Sequence, residues 1–162
     1  MKRMLLAICI AVATTASFAQ APTAKQAFEE IKKLAGTWEM KQGDAKLNVI
    51  YKVSGAGSAV FETQFPGQAT EMVSVYHMDG DKLVMTHYCA AGNQPTLIYK
   101  PGKDLKTLEF EFLRGSNMKP TDMHIHAAVL KFMGAGHLVS DWTGYMDGKN
   151  AGTTTFDLKR VQ

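Results

Sequence analysis

The spacing of apolar residues along the chain changes once. From Lys25, the residues Ala27, Phe28, Ile31, Leu34 and Ala35 recur at helical intervals with Lys and Glu on the opposite face, and Gly36 closes the run. This predicts a short amphipathic helix over Lys25 to Leu34. From Thr37 onward the period falls to two, in short runs rich in β-branched and aromatic residues.

Ten such runs read as strands: Gly36 to Lys41, Ala45 to Ser54, Ser58 to Phe65, Thr70 to Met78, Lys82 to Tyr88, Thr96 to Lys100, Leu105 to Leu113, Asp122 to Phe132, His137 to Met146 and Ala151 to Arg160. Most links between them hold Gly or Asp-Gly, as at Gly43, Gly80, Gly136 and Asp147-Gly148, which suits tight hairpin turns. Such short links make sequential strands antiparallel neighbours.

Alternation assigns an inner face: Trp38 and Met40; Leu47, Val49, Tyr51 and Val53; Ala59, Phe61 and Phe65; Leu108, Phe110 and Phe112; Phe156 and Leu158. A long meander with one apolar face removes its unpaired edges by closing on itself, so the expected fold is all-β, a single antiparallel barrel of about ten strands. The rival permitted by the same periodicity is an open two-sheet sandwich.

The first residues carry the pattern of a secretion signal: Lys2 and Arg3, an apolar run from Met4 to Val12, and Ser17-Phe18-Ala19 as a small-x-small cleavage site. Cleavage after Ala19 is expected, followed by a segment from 20 to 35 with the helix and a barrel domain from 36 to 162. Thr14, Thr15 and Ser17 interrupt the run short of the ~20 residues a spanning helix needs, so no membrane span is expected. A lipid-modified Cys9 is the weaker reading, because Ile8 is too bulky for that cleavage position. The protein is therefore read as exported, to the periplasm or beyond.

Removing the signal lowers the formal charge from +3 by the two positive charges of Lys2 and Arg3, to +1, leaving no large field to attract nucleic acid or an anionic membrane. It also removes Cys9, so Cys89 stands alone and no intramolecular disulfide can form. A buried, inert thiol is the ordinary reading of such a residue.

Gly36-Thr37-Trp38 follows the helix directly, and the last strand ends Phe156-Asp157-Leu158-Lys159-Arg160. This combination resembles the lipocalin-like, or calycin, barrels, which often pack a terminal arginine across that tryptophan. A strand number near ten is more similar to the fatty-acid-binding and nitrobindin-type members than to the eight-stranded ones. The resemblance implies a structural role for Trp38 and Arg160 and a small-molecule ligand in the lumen. Its nitrobindin branch also implies haem held by a histidine, although no histidine here aligns with that ligand by motif.

In a meander alternate turns lie at opposite ends, which places Trp38, Arg160 and the helix together and plugs that end. The longer links, Cys89 to Pro95 and Arg114 to Thr121, fall at the other end and form the expected mouth. His87 and Cys89 close the fifth strand and His124 and His126 open the eighth, so all approach this rim with Asn93; His77 and His137 fall at the plugged end.

The expected function is binding of a small apolar or amphipathic molecule, oriented by His87, Cys89, Asn93, His124 and His126. A metal- or haem-dependent activity at the same rim is the first alternative. His124-x-His126 has the spacing of half a ligand set, but the fifth and eighth strands stand ~14 Å apart along the wall, so a shared metal requires reach across the lumen. Cys–His nucleophilic catalysis ranks below this, because no acidic orienter lies beside Cys89 and His87 and no oxyanion hole is marked. The second alternative is an interaction module whose core is filled by Tyr51, Phe61, Phe110, Phe112 and Trp142. The many methionines suit either an adaptable pocket or an irregular core.

Overall fold

The structure is a computed structural model that describes residues 21–161; the expected signal, Met1 to Ala19, lies outside them. Helix α1 (Ala24–Lys32) begins at a capping box in which the Thr23 hydroxyl accepts from the Gln26 amide at 3.2 Å and the Gln26 side chain accepts from the Thr23 amide at 2.8 Å. It buries Ala27, Phe28 and Ile31, the stripe set by the 3.6-residue spacing.

Ten strands follow: β1 (Gly36–Gln42), β2 (Ala45–Ser54), β3 (Ala59–Gln64), β4 (Met72–Asp79), β5 (Lys82–Tyr88), β6 (Gln94–Lys100), β7 (Thr107–Ser116), β8 (His124–Gly134), β9 (His137–Met146) and β10 (Lys149–Arg160). Each pairs antiparallel with its neighbour in sequence, and β10 closes onto β1 with Arg160 opposite Trp38. The sheet is a closed barrel, so the open sandwich is ruled out.

The plugged end is built as the alternation of turns requires. The Trp38 indole donates to the Leu34 carbonyl at 2.8 Å, and the Arg160 guanidinium lies 4.3 Å from the Trp38 ring centroid. Arg160 also donates to the carbonyls of Ala35 at 2.6 Å and Lys33 at 2.7 Å, capping the end of the helical segment with a cation. Helix α1 packs against β4 and β5 here, and the links after β3, β5 and β7 lie at the other end.

One expectation about the lumen is overturned. On β3 the buried residues are Val60, Glu62 and Gln64, whereas Phe61 is 38% exposed. Counting back in twos from Phe65 puts Phe61 inside, but Phe65 has left-handed backbone geometry (φ 55°), which breaks the alternation at the end of the strand. Phe65 thereby turns back to pack edge-to-face on Phe156, with ring centroids 5.4 Å apart. Trp38, Met40, Val49, Tyr51, Leu108, Phe110, Phe156 and Leu158 are buried as the period-two reading requires, Leu47, Val53, Phe65 and Phe112 are half-buried, and Ala59 shares the outward alternation of Phe61.

A second irregularity shapes the mouth. The β8–β9 register shifts between Ile125 and Ala127, making His126 an extra residue on β8. The β7–β8 ladder ends at Glu111 opposite Ala127, so beyond that pair the two strands part.

Candidate functional site

Because cross-strand partners share a face, register alone lines up a polar row inside the barrel. Tyr51 is opposite Glu62, Glu62 opposite Ser74, and Ser74 opposite His87, across four adjacent strands from β2 to β5. Glu62 is fully buried and accepts hydrogen bonds from the Tyr76 hydroxyl at 2.5 Å and the Gln64 amide at 2.8 Å. Burial raises the Glu62 carboxyl above its ordinary range even though these bonds pull the other way. Burial and the neighbouring Glu62 push the Tyr51 and Tyr76 hydroxyls well above 10. The Tyr51 hydroxyl is close to Glu62 but forms no hydrogen bond of good geometry.

His87 ends this row. Its Nδ1 is 2.9 Å from the Ser74 hydroxyl, and its ring tilts against Trp142 with centroids 5.2 Å apart. Its Nε2 is buried and has no protein partner. Burial lowers the imidazole to about 4, so at neutral pH the ring is uncharged and presents a single unsatisfied donor or acceptor. Trp142 is in turn held by its indole donating to the Ser140 hydroxyl at 3.2 Å.

His87 lines a cavity of about 370 Å³ at the mouth end of the lumen. Met40, Phe65, Met72, Ile125, Trp142 and Phe156 give it an apolar wall, Gln64 and Thr154 add polar groups, and Lys41 stands at the lip. This volume is at the small end of the ~300–1,000 Å³ usual for ligand pockets.

His124 and His126 line a different cavity, a cleft of about 420 Å³ where β7 and β8 part. A carbonyl can only accept, so the 2.8 Å bond from His124 Nδ1 to the Asp122 carbonyl fixes the proton on that nitrogen. His124 Nε2 then accepts from His126 Nδ1 at 3.0 Å. The His126 ring is sandwiched between Phe112, 5.0 Å away and nearly parallel, and Tyr145, 3.9 Å away. Burial and the adjacent His124 lower its pKa.

Of the other rim residues, Asn93 is buried; its amide donates to the Met123 carbonyl at 2.7 Å and its carbonyl oxygen is unpartnered. Cys89 is half-buried with a free thiol and its backbone amide donates to Asn93, but it lines neither cavity. The five residues thus share one end of the barrel but not one pocket. At the plugged end His137 is 3.0 Å from Asp157. Among the described residues no three His, Cys, Asp or Glu side chains converge on a metal-sized point.

Sequence reasoning missed Glu62, Gln64, Ser74 and Tyr76. The available signal was the alternation Val60-x-Glu62-x-Gln64, which competes on equal terms with Ala59-x-Phe61. The chain matches no protein-family model and no curated protein.

Proposed function

We propose that this chain is an exported, lipocalin-like binding protein that holds one small, neutral amphipathic molecule in the mouth of its barrel. The observation that carries the reading is the unpartnered His87 Nε2, buried in the wall of a cavity that also presents Phe65, Trp142 and Phe156. A buried polar atom without a partner costs ~1–3 kcal/mol, which a ligand hydroxyl, amide or amine in the lumen would recover. The apolar body of the ligand would gain ~25 cal/mol for each Å² it removes from water against Phe65, Trp142 and Phe156. One feature favours an uncharged head: His87, which would meet it, carries no charge at neutral pH. A fatty carboxylate is accordingly a poorer ligand than the matching alcohol.

Trp142 is in the cavity wall and reports occupancy. Titrating the mature protein with medium-chain alcohols and the corresponding carboxylates, read by tryptophan fluorescence and native mass spectrometry, is the direct test. The alcohols are expected to bind in one copy, and His87→Phe to weaken them about tenfold, the loss of one ~1.4 kcal/mol hydrogen bond. Carboxylates binding more tightly than alcohols would reverse the head-group assignment. No binding by either series would end the reading. Export is checked separately by the N-terminal mass of the protein recovered from the cell envelope, expected to begin at Gln20.

A further inference from the structure

The cleft where β7 and β8 part has a donor set unlike that of the lumen. His124 Nε2 and His126 Nδ1 converge to 3.0 Å, within a few tenths of an ångström of the ~3.3 Å between two nitrogens bound ~2.0–2.1 Å from one tetrahedral metal. His124 has the outer hydrogen bond typical of a metal-bound imidazole: Nδ1–H on a backbone carbonyl, which leaves the Nε2 lone pair as an acceptor, engaged here by His126 Nδ1–H. Phe112 and Tyr145 stack on His126 and hold its ring in this orientation. The thioether of Met118 lines the same cleft and rests against Gly115, where any Cβ would overlap it.

These observations choose the ion. Two imidazoles and a thioether are borderline and soft donors, which exclude Ca²⁺ and Mg²⁺ and suit copper in its lower oxidation state. The cleft lining contains no carboxylate and includes Lys119, so a monovalent cation is opposed less than a divalent one. We infer that this cleft binds a single Cu(I) ion through His124 Nε2, His126 Nδ1 and Met118 Sδ. On binding, the copper replaces the His126–His124 hydrogen bond, sitting to one side of the line between the two nitrogens, and the His126 proton moves from Nδ1 to Nε2 by way of solvent. Both imidazoles stay neutral, no proton is released, and no electron is transferred. The site is independent of the lumen ligand.

The test is an anaerobic Cu(I) titration of the folded mature protein against bicinchoninate. Cys89→Ser provides the reference, because a free thiol also takes Cu(I). The Cys89→Ser protein is expected to bind one equivalent. His126→Phe, which keeps the aromatic stack, should weaken it at least a hundredfold, and Met118→Leu at least tenfold. X-ray absorption should show a sulfur scatterer in the Cys89→Ser complex that Met118→Leu lacks. Circular dichroism and alcohol binding in the lumen should be unchanged in both variants. Failure of Cys89→Ser to take up Cu(I), or uptake unaffected by His126→Phe, overturns the site. Equal affinity for Cu(I) in Met118→Leu overturns the thioether ligand, and with it the choice of copper over zinc.

Discussion

Acidification protonates the unfolded chain at His87 well before the folded one. In the unfolded state the imidazole titrates near 6.5, whereas in the barrel burial lowers it to about 4. Between these values the unfolded state binds the extra proton, so this contribution to stability is complete above 6.5, declines as pH falls and levels off below about 4. Each unit of difference corresponds to ~1.4 kcal/mol, so the whole interval amounts to about 3 kcal/mol. That is a large share of the ~5–15 kcal/mol by which a domain of this size is stable. The perturbation that isolates it is His87→Phe, which keeps a ring against Trp142 and removes the titration. Leaving the Ser74 hydroxyl unpartnered costs ~1–3 kcal/mol at every pH. Urea unfolding of both ligand-free proteins over this range gives a difference in which all other titrating groups largely cancel. The wild-type advantage should shrink by about 3 kcal/mol from neutral pH to pH 4.

The same residue sets a second, lower midpoint for binding. Ligand binds only the folded barrel, where His87 stays neutral until about 4, so alcohol affinity should hold through the interval in which stability is falling. Parallel stability curves for the two proteins, or an imidazole NMR signal assigned to His87 with a midpoint near 6.5, would refute the burial argument.

Glu62→Gln should raise the melting temperature at pH 8 and not at pH 4.5. The raised carboxyl pKa means that the cost of ionising Glu62 in the fold is nearly absent at its unfolded value of 4.5 and grows as the pH rises from there through the folded value; an unchanged melting temperature at pH 8 would contradict this. Arg160→Ala removes two guanidinium hydrogen bonds and the cation over Trp38, and because Arg160 is exposed the loss should be ~1–2 kcal/mol by urea denaturation. Met72→Trp should fill the cavity and abolish alcohol binding while altering stability by less than ~1.5 kcal/mol, since Met72 is half-buried at the start of β4.

The barrel was legible in the sequence because its evidence is redundant. Ten runs of period two, turn residues between them and one helical stripe all require the same meander, and no single strand decides it. The plug was legible for a different reason: turn parity places Trp38 and Arg160 together whatever the exact register. The site was less so. His87 has the correct end and face, but its neighbours depend on which of two equal alternations β3 adopts, and that choice turns on the positive φ of Phe65. In the same way, parity puts His124 and His126 at the rim, but only the extra residue at His126 and the early end of the β7–β8 ladder separate them from the lumen. Local backbone irregularities of this kind leave little trace in hydrophobic periodicity, and here they determine where the polar groups sit.

The interior is consequently two-sided. The wall from β7 through β10 is lined by Leu108, Phe110, Ala128, Leu130, Leu138 and Leu158, an apolar surface sufficient to close a core. The opposite wall, β2 to β5, buries Tyr51, Glu62, Gln64, Ser74, Tyr76 and His87, where aliphatic residues would pack without any desolvation cost. Glu62 is satisfied by Tyr76 and Gln64, and Ser74 by His87, so the row is braced from within. Bracing of this sort fixes the His87 ring by its Nδ1 and leaves the opposite nitrogen without a partner. A row needed only for packing would have no reason to end in an unsatisfied atom at a cavity near the mouth. A row that holds a hydrogen-bonding nitrogen still, in a dry wall, meets the requirement for orienting a small molecule that apolar contact alone would leave free to rotate.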